Sequence, residues 1–229
     1  MNANSATVSE RIYTAIRDDI LNKTLVSGEK LTIKKLHEMY GVSSSPIREA
    51  LFRLQQDGLI EYRSNAGMRV IEFTRQDLAE IYMLLTEFDV IALRAATTPA
   101  RRLSTLAALE LCMERARASI ENKLWNYYSD AFHSILYEEA QNGRLTDAAR
   151  KIRIQSTIFS NQYEIKEENR REILKQHEEI LSAIRDNRLD RAEDLMRTHV
   201  GSSYAKALSI LDEEEEESEE SSKQASARS

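Results

Sequence analysis

The sequence predicts a mainly α protein: a small N-terminal unit of three helices and a β-hairpin, followed by a six-helix antiparallel bundle. Three observations carry this reading. Residues 1–73 hold three short amphipathic stretches and then two β-type runs around a glycine-containing turn. From Thr74 to about Ile210 the apolar spacing is helical throughout, interrupted only by short joints. The 229 residues, 41% apolar and 31% charged with 6 Gly and 2 Pro, suit one or two helical domains and exclude a fibrous or wholly disordered chain.

Thr7-Val-Ser-Glu10 has capping-box spacing ahead of Ile12, Ile16 and Ile20, so a first helix is expected to about Asn22. After a turn at Ser27-Gly28, Thr32 to Tyr40 reads as a second helix closed by Gly41, where a left-handed residue is favoured. "GVSSSPIREALFRLQQDGL" then supplies a third, with Ile47, Ala50, Leu51 and Leu54 inward and its proline in the first turn, where a missing N–H costs nothing. The serines before it are expected to cap the free N–H groups. "LIEYR", "SNAG" and "MRVIEF" read as strand, turn and strand. Thr74-Arg-Gln-Asp77 is a second capping box, and it opens a long helix whose expected inward stripe is Leu78, Ile81, Leu84, Leu85, Phe88, Ile91 and Ala95. Breaks near Pro99, Glu121 to Lys123, Asn142-Gly143, Lys166 to Asn169 and Asp186 to Arg188 divide the remainder, giving six helices on short loops. The expected domains are therefore 1–73, 74–211 and an acidic tail, 212–229.

Charge is unevenly placed. Residues 1–75 carry 11 Lys/Arg against 9 Asp/Glu, whereas 212–229 carry 8 acidic and 2 basic residues, so the overall charge of −6 comes mainly from the tail. Such a Ser-rich block of like charge buries no apolar surface and is expected to be disordered. The single cysteine, Cys112, excludes an internal disulfide, and "MNANSATVSE" lacks the basic and apolar regions of a signal peptide. The expected setting is the cytoplasm, with no membrane partner.

Helix, helix, glycine turn, helix and hairpin is the element order of a winged helix-turn-helix, in which the helix after the turn enters the major groove of double-stranded DNA. Ser43, Ser44, Ser45 and Arg48 on the third helix, Lys34 on the second and Gly67 in the wing turn form a set suited to phosphate and base-edge contact. The run from Ser27 to Phe73 closely resembles the DNA-binding domain of GntR-family bacterial transcription regulators. That resemblance implies DNA contacts at the positions of Lys34, Ser43, Ser45, Arg48 and Gly67. Ser44 departs from it: relatives carry arginine there, so the operator sequence does not transfer.

Three of the four histidines lie in the helical part. His177 and His199 are each 11 residues from residue 188, inside the turn at Asp186 to Arg188, so on an antiparallel hairpin both stand about 16 Å from the turn and can face each other. His133 lies on another helix, three residues after Asp130. Three imidazoles and a carboxylate suit a divalent metal, zinc first and nickel or manganese next, with a coordination position left for water or a ligand. The alternative is that the histidines are core residues satisfied by hydrogen bonds, in a regulator answering to a metal-free ligand.

Residues 77–211 resemble the all-helical effector domain of FadR-like GntR regulators, the FCD type. In that group an acid and three histidines often hold a metal with a small carboxylate bound to it, and His133, His177 and His199 fall on the histidine positions. The usual acid lies four residues before the first histidine, which is Ser129 here, while Asp130 is one place off. A ligand-holding arginine of relatives is replaced by Leu85. A metal enzyme is the remaining alternative, but paired Glu-x-x-His motifs and His-Glu-x-x-His are both missing. The reading is thus a DNA-binding transcription regulator, a repressor by default, working as a homodimer on a near-palindromic operator under control of a small effector, a carboxylate or sugar acid.

Overall fold

A computed structural model describes residues 6–226. The chain divides into two compact units between Phe73 and Thr74. The first contains α1 (Val8–Leu21), α2 (Ile33–Tyr40), α3 (Ser44–Gln56), β1 (Ile60–Arg63) and β2 (Gly67–Val70). The second contains α4 (Arg75–Ala96), α5 (Arg102–Ala118), α6 (Trp125–Glu139), α7 (Gly143–Tyr163), α8 (Glu167–Arg185) and α9 (Leu189–Ser226). The predicted class, mainly α with a winged helix-turn-helix ahead of six helices, is borne out. Among the described residues no helix is long and apolar enough to cross a membrane.

In the first unit the capping box read from sequence at Thr7 forms, and Thr32 adds a cap that the sequence reading did not name. Thr7 and Glu10 make a reciprocal capping box at α1, and Thr32 Oγ1 accepts from Lys35 N at α2. Gly41 closes α2 at φ 67°, its N–H donating to His37 O, a left-handed conformation that L residues with a Cβ adopt at a cost. Helix α1 packs along α3, burying Ile12, Ile16 and Ile20 together with Ile47, Ala50, Leu51 and Leu54. Strands β1 and β2 pair antiparallel from Ile60↔Val70 to Arg63↔Gly67. The segment before α2 adds a partial third edge: Leu31 N donates to Met68 O and Val70 N to Glu29 O. That bond pattern was not visible in the sequence, because Ser27 to Leu31 shows no period-2 alternation.

In the second unit α4 is central, packing against α6, α7 and α9, while α8 pairs with α9 and α5 with α6 and α8. Connections of three to six residues keep successive helices adjacent. Thr74 and Asp77 form the second capping box. The buried face of α4 differs from the expected stripe. Leu84 and Ile91 are exposed, whereas Tyr82, Asp89, Ala92, Leu93 and Ala96 are buried. The helix is apolar on most of its circumference, so its spacing alone fits two stripes about one residue apart.

The acidic tail is a second correction. Instead of losing structure after Leu211, α9 runs on as helix to Ser226. Glutamate is a good helix former, and extending an existing helix avoids the cost of a new nucleus. Asp212 also reaches back to pair with Arg75 at the start of α4, with Glu215 3.9 Å from the same guanidinium. Residues 227–229 of that tail lie outside the described residues.

The two units have separate cores, and the only tryptophan, Trp125, reports on the second. Replacing fully buried Leu54 with alanine is expected to cost roughly 2–5 kcal/mol in the first unit. In a denaturant titration followed by circular dichroism, part of the helical signal should be lost earlier, while the Trp125 emission transition stays in place.

Candidate effector and metal site and DNA-reading face

The three histidines converge in the second unit. His133 comes from α6, His177 from α8 and His199 from α9, and all are buried. His177 Nε2 lies 3.3 Å from His199 Nε2, which lies 3.2 Å from His133 Nε2. One ligand atom from each of the three rings falls within 4.8 Å of the others. The matched heights of His177 and His199 across the α8–α9 turn place them face to face, and Phe132 stacks on His177 with ring centres 4.1 Å apart.

The outer nitrogens fix which way the rings present their lone pairs. Gln176 Nε2 donates to Glu172, which turns Gln176 Oε1 toward His199 Nδ1 at 2.7 Å, so that nitrogen carries the proton. His133 Nδ1 lies 3.0 Å from Asp89 Oδ2, bent away from a linear hydrogen bond but too close to a carboxylate for a lone pair. Both Nε2 atoms therefore point bare lone pairs into a space 3.2 Å across, an arrangement that a cation between them stabilises. Burial, with His199 and His133 nearby, holds His177 well below the ordinary imidazole range, and burial with His133 lowers His199 to about 3. Both of these rings are neutral, as metal ligands must be. A zinc ion bound to nitrogens at 2.0–2.1 Å in tetrahedral geometry sets those nitrogens roughly 3.3 Å apart, so the residues present fit such an ion.

Asp89 is the carboxylate at the cluster, and the sequence reading missed it. Burial works to raise its pKa, but His133 and Arg153 hold it down at about 2, and Tyr137 Oη donates to it. The available signal was an acid standing four residues after Leu85 and four before Leu93, inside a helical apolar series. Asp130, expected as the metal-site acid, is not grouped with the histidines. Its half-exposed carboxylate accepts from Arg153 Nε at 3.1 Å, because three residues along α6 turn it toward α7. Ser129 is buried one position back.

The cluster opens onto a cavity of about 60 Å³ between α4, α6, α7, α8 and α9, several times the 10–15 Å³ one water needs. His133, His199, Arg153 and Asp130 line it together with a largely neutral polar wall that includes Ser129, Asn126 and Ser203. Leu85 also lines it. Arg153 from α7 is thus the cation in the cavity wall, set between Asp130 and Asp89 Oδ2, the latter at 3.5 Å from Nη1.

In the first unit Ser43, Ser44, Ser45 and Arg48 are exposed at the N-terminal end of α3. Ser43 is the N-cap but makes no side-chain cap bond, so the expected capping role of the serines does not hold at that residue. Lys34 stands out from α2, 3.9 Å from Glu38, with most of its side chain in solvent. Gly67 opens β2 at φ 82° after Asn65 at φ 64°, the left-handed pair that turns the wing.

Residues 8–70 match the model of bacterial regulatory proteins of the gntR family, and residues 79–202 match the FCD domain. The regulator YdhC of Bacillus subtilis is 24% identical over 208 residues, which cover 89% of this chain and 92% of that protein. The HTH-type transcriptional repressor RspR of Escherichia coli is 25% identical over 203 residues, covering 84% and 86%. The fold resembles the solved structures of E. coli McbR/YncC (TM-score 0.67, 20% identity, 92% and 99% of the two chains) and of a GntR regulator from Rhodococcus sp. RHA1 (0.66, 21%, 88% and 97%). With both domains matched in this order, the chain belongs to the GntR family of DNA-binding transcription regulators, of the kind that carries an FCD ligand-binding domain and is not an enzyme.

Proposed function

We propose that this protein is a cytoplasmic repressor whose hold on its operator is released by a small acid bound beside a divalent metal. The observation that carries the reading is the triad itself: three buried imidazoles with inner nitrogens 3.2–3.3 Å apart, two of them anchored from behind, at the wall of a polar cavity. His133, His177 and His199 would hold the ion, zinc first and nickel or manganese next. When bound, the metal supplies a Lewis-acidic position for one oxygen of the effector. Asp89 orients His133, Gln176 orients His199, and Arg153 adds a second charge for an acid group.

On DNA, α3 presents its N-terminal end, where Ser43, Ser44 and Ser45 and the free N–H groups favour a phosphate and Arg48 is placed for base edges. Lys34 adds a phosphate contact, and Gly67 lets the wing backbone approach the minor groove. A near-palindromic operator calls for a homodimer. Met83, Leu84 and Ile91, exposed on one face of α4, offer an apolar row for a second copy. Effector binding then shifts the population between two arrangements of the dimer, and only differential affinity for them releases DNA.

Three outcomes test this reading. Arg48→Ala should weaken binding to a fragment of the protein's own promoter region by roughly 1–3 kcal/mol and lower the salt slope by about one, while thermal stability is unchanged. His177→Ala should purify with substantially less divalent metal than the parent, measured by elemental analysis, and equal metal in both would dispose of the site. Asp89→Asn, which keeps shape but not charge, should lower metal affinity by roughly 10–100-fold.

A further inference from the structure

The cavity is two-ended. On α6 it runs from His133 to Asn126, seven residues or about 10 Å. Tyr82 stands seven residues before Asp89 on α4, and Glu164, the residue that caps the C-terminal end of α7, eleven after Arg153, so both lie away from the histidine end. Glu164 is 5% exposed and lines the cavity. Its Oε2 accepts from Trp125 Nε1, and Arg170, the nearby cation, spends its Nε on the Glu164 backbone carbonyl. Burial pushes the Glu164 carboxyl up to about 7 against the opposing Trp125 hydrogen bond. Tyr82 Oη is buried on the same wall without a hydrogen bond of normal geometry, and Tyr163 is the hydroxyl it interacts with. Natural proteins rarely leave such a hydroxyl unsatisfied. A carboxylate that accepts and a hydroxyl that can both accept and donate, facing one cavity, suit a ligand group that donates to Glu164 and lies within reach of Tyr82.

We propose that Glu164 and Tyr82 form a second subsite, opposite the histidines, that binds a hydrogen-bond donor, hydroxyl or ammonium, carried at the far end of the acid effector. The proposal rests on the acid-effector reading above. Glu164 also disfavours a second carboxylate at its end, which orients the effector with its acid group toward Arg153 and the histidines. A site that hydrogen-bonds a donor discriminates against the analogue lacking it, because its own buried polar groups are then left without partners.

The test uses the full metal-loaded chain and three acids of one length, hexanoate, 6-hydroxyhexanoate and 6-aminohexanoate, with binding measured by calorimetry. At least one donor-bearing acid should bind roughly tenfold or more tighter than hexanoate, and which of the two does so identifies the donor. Glu164→Gln should bring that acid to the level of hexanoate. Tyr82→Phe, which only removes the orphaned hydroxyl, should keep the melting temperature and weaken the donor-bearing acid several-fold, so the test survives if Glu164→Gln fails to fold. Equal binding of all three acids overturns the subsite and leaves acid binding intact. Binding of none of them overturns the acid-effector reading, and the subsite with it.

Discussion

The helical unit is organised around one electrostatic constraint: two imidazole lone pairs face each other across 3.2 Å among buried side chains. Nothing in the apolar core requires this. The arrangement persists because the outer ring nitrogens are committed, His199 to Gln176 and His133 to Asp89, and those partners are themselves held by Glu172, Tyr137 and Arg153. The helices α4, α6, α7, α8 and α9 all contribute to this chain of contacts, α6 and α8 with two members each. A bundle joined by short loops fixes the relative heights of its helices, and only fixed heights can keep these seven side chains in one cluster.

The same constraint explains why an aspartate occupies the buried face of the central helix. An ionised carboxylate without partners in such a position would be costly. Here Tyr137, Arg153 and His133 surround it, and its low pKa expresses their joint effect rather than its burial. Arg153 in turn lies between Asp89 and Asp130, so its charge is shared between the cluster and the cavity mouth. Leu85 on α4 adds no charge to the cavity, and its cation comes instead from Arg153 on α7.

Much of the site was legible in the sequence. The equal spacing of His177 and His199 from the turn at residue 188 fixes their meeting, because two antiparallel helices rise at the same rate. Capping boxes at Thr7 and Thr74 mark helix starts through local hydrogen bonds that need no tertiary information. Asp89, Arg153 and Glu164 were not legible in this way. Each is a charged residue whose burial depends on partners from other helices, and α4 is apolar on too much of its surface for spacing to select one stripe. Asp130 misled for a related reason: proximity to His133 along the chain says which turn it shares, not which neighbour it faces. The tail misled because composition reports its solubility, whereas its helix depends on being continuous with α9.

The N-terminus of α3 bears on what the DNA reader distinguishes. Ser43 leaves the helix N–H groups without a side-chain cap, so backbone donors and three hydroxyls are directed outward together. Such groups suit phosphate, which carries position and not sequence. Under the proposed reading, the substitution of serine for the family's arginine at residue 44 removes a long base-reaching side chain from this surface and leaves Arg48 as the arginine at the start of the helix. Base discrimination then concentrates on fewer contacts, each good bidentate pair being worth about 1–3 kcal/mol, while the phosphate term is little altered. An operator for this protein is accordingly better located through its half-site spacing, which dimer geometry sets, than through bases borrowed from relatives.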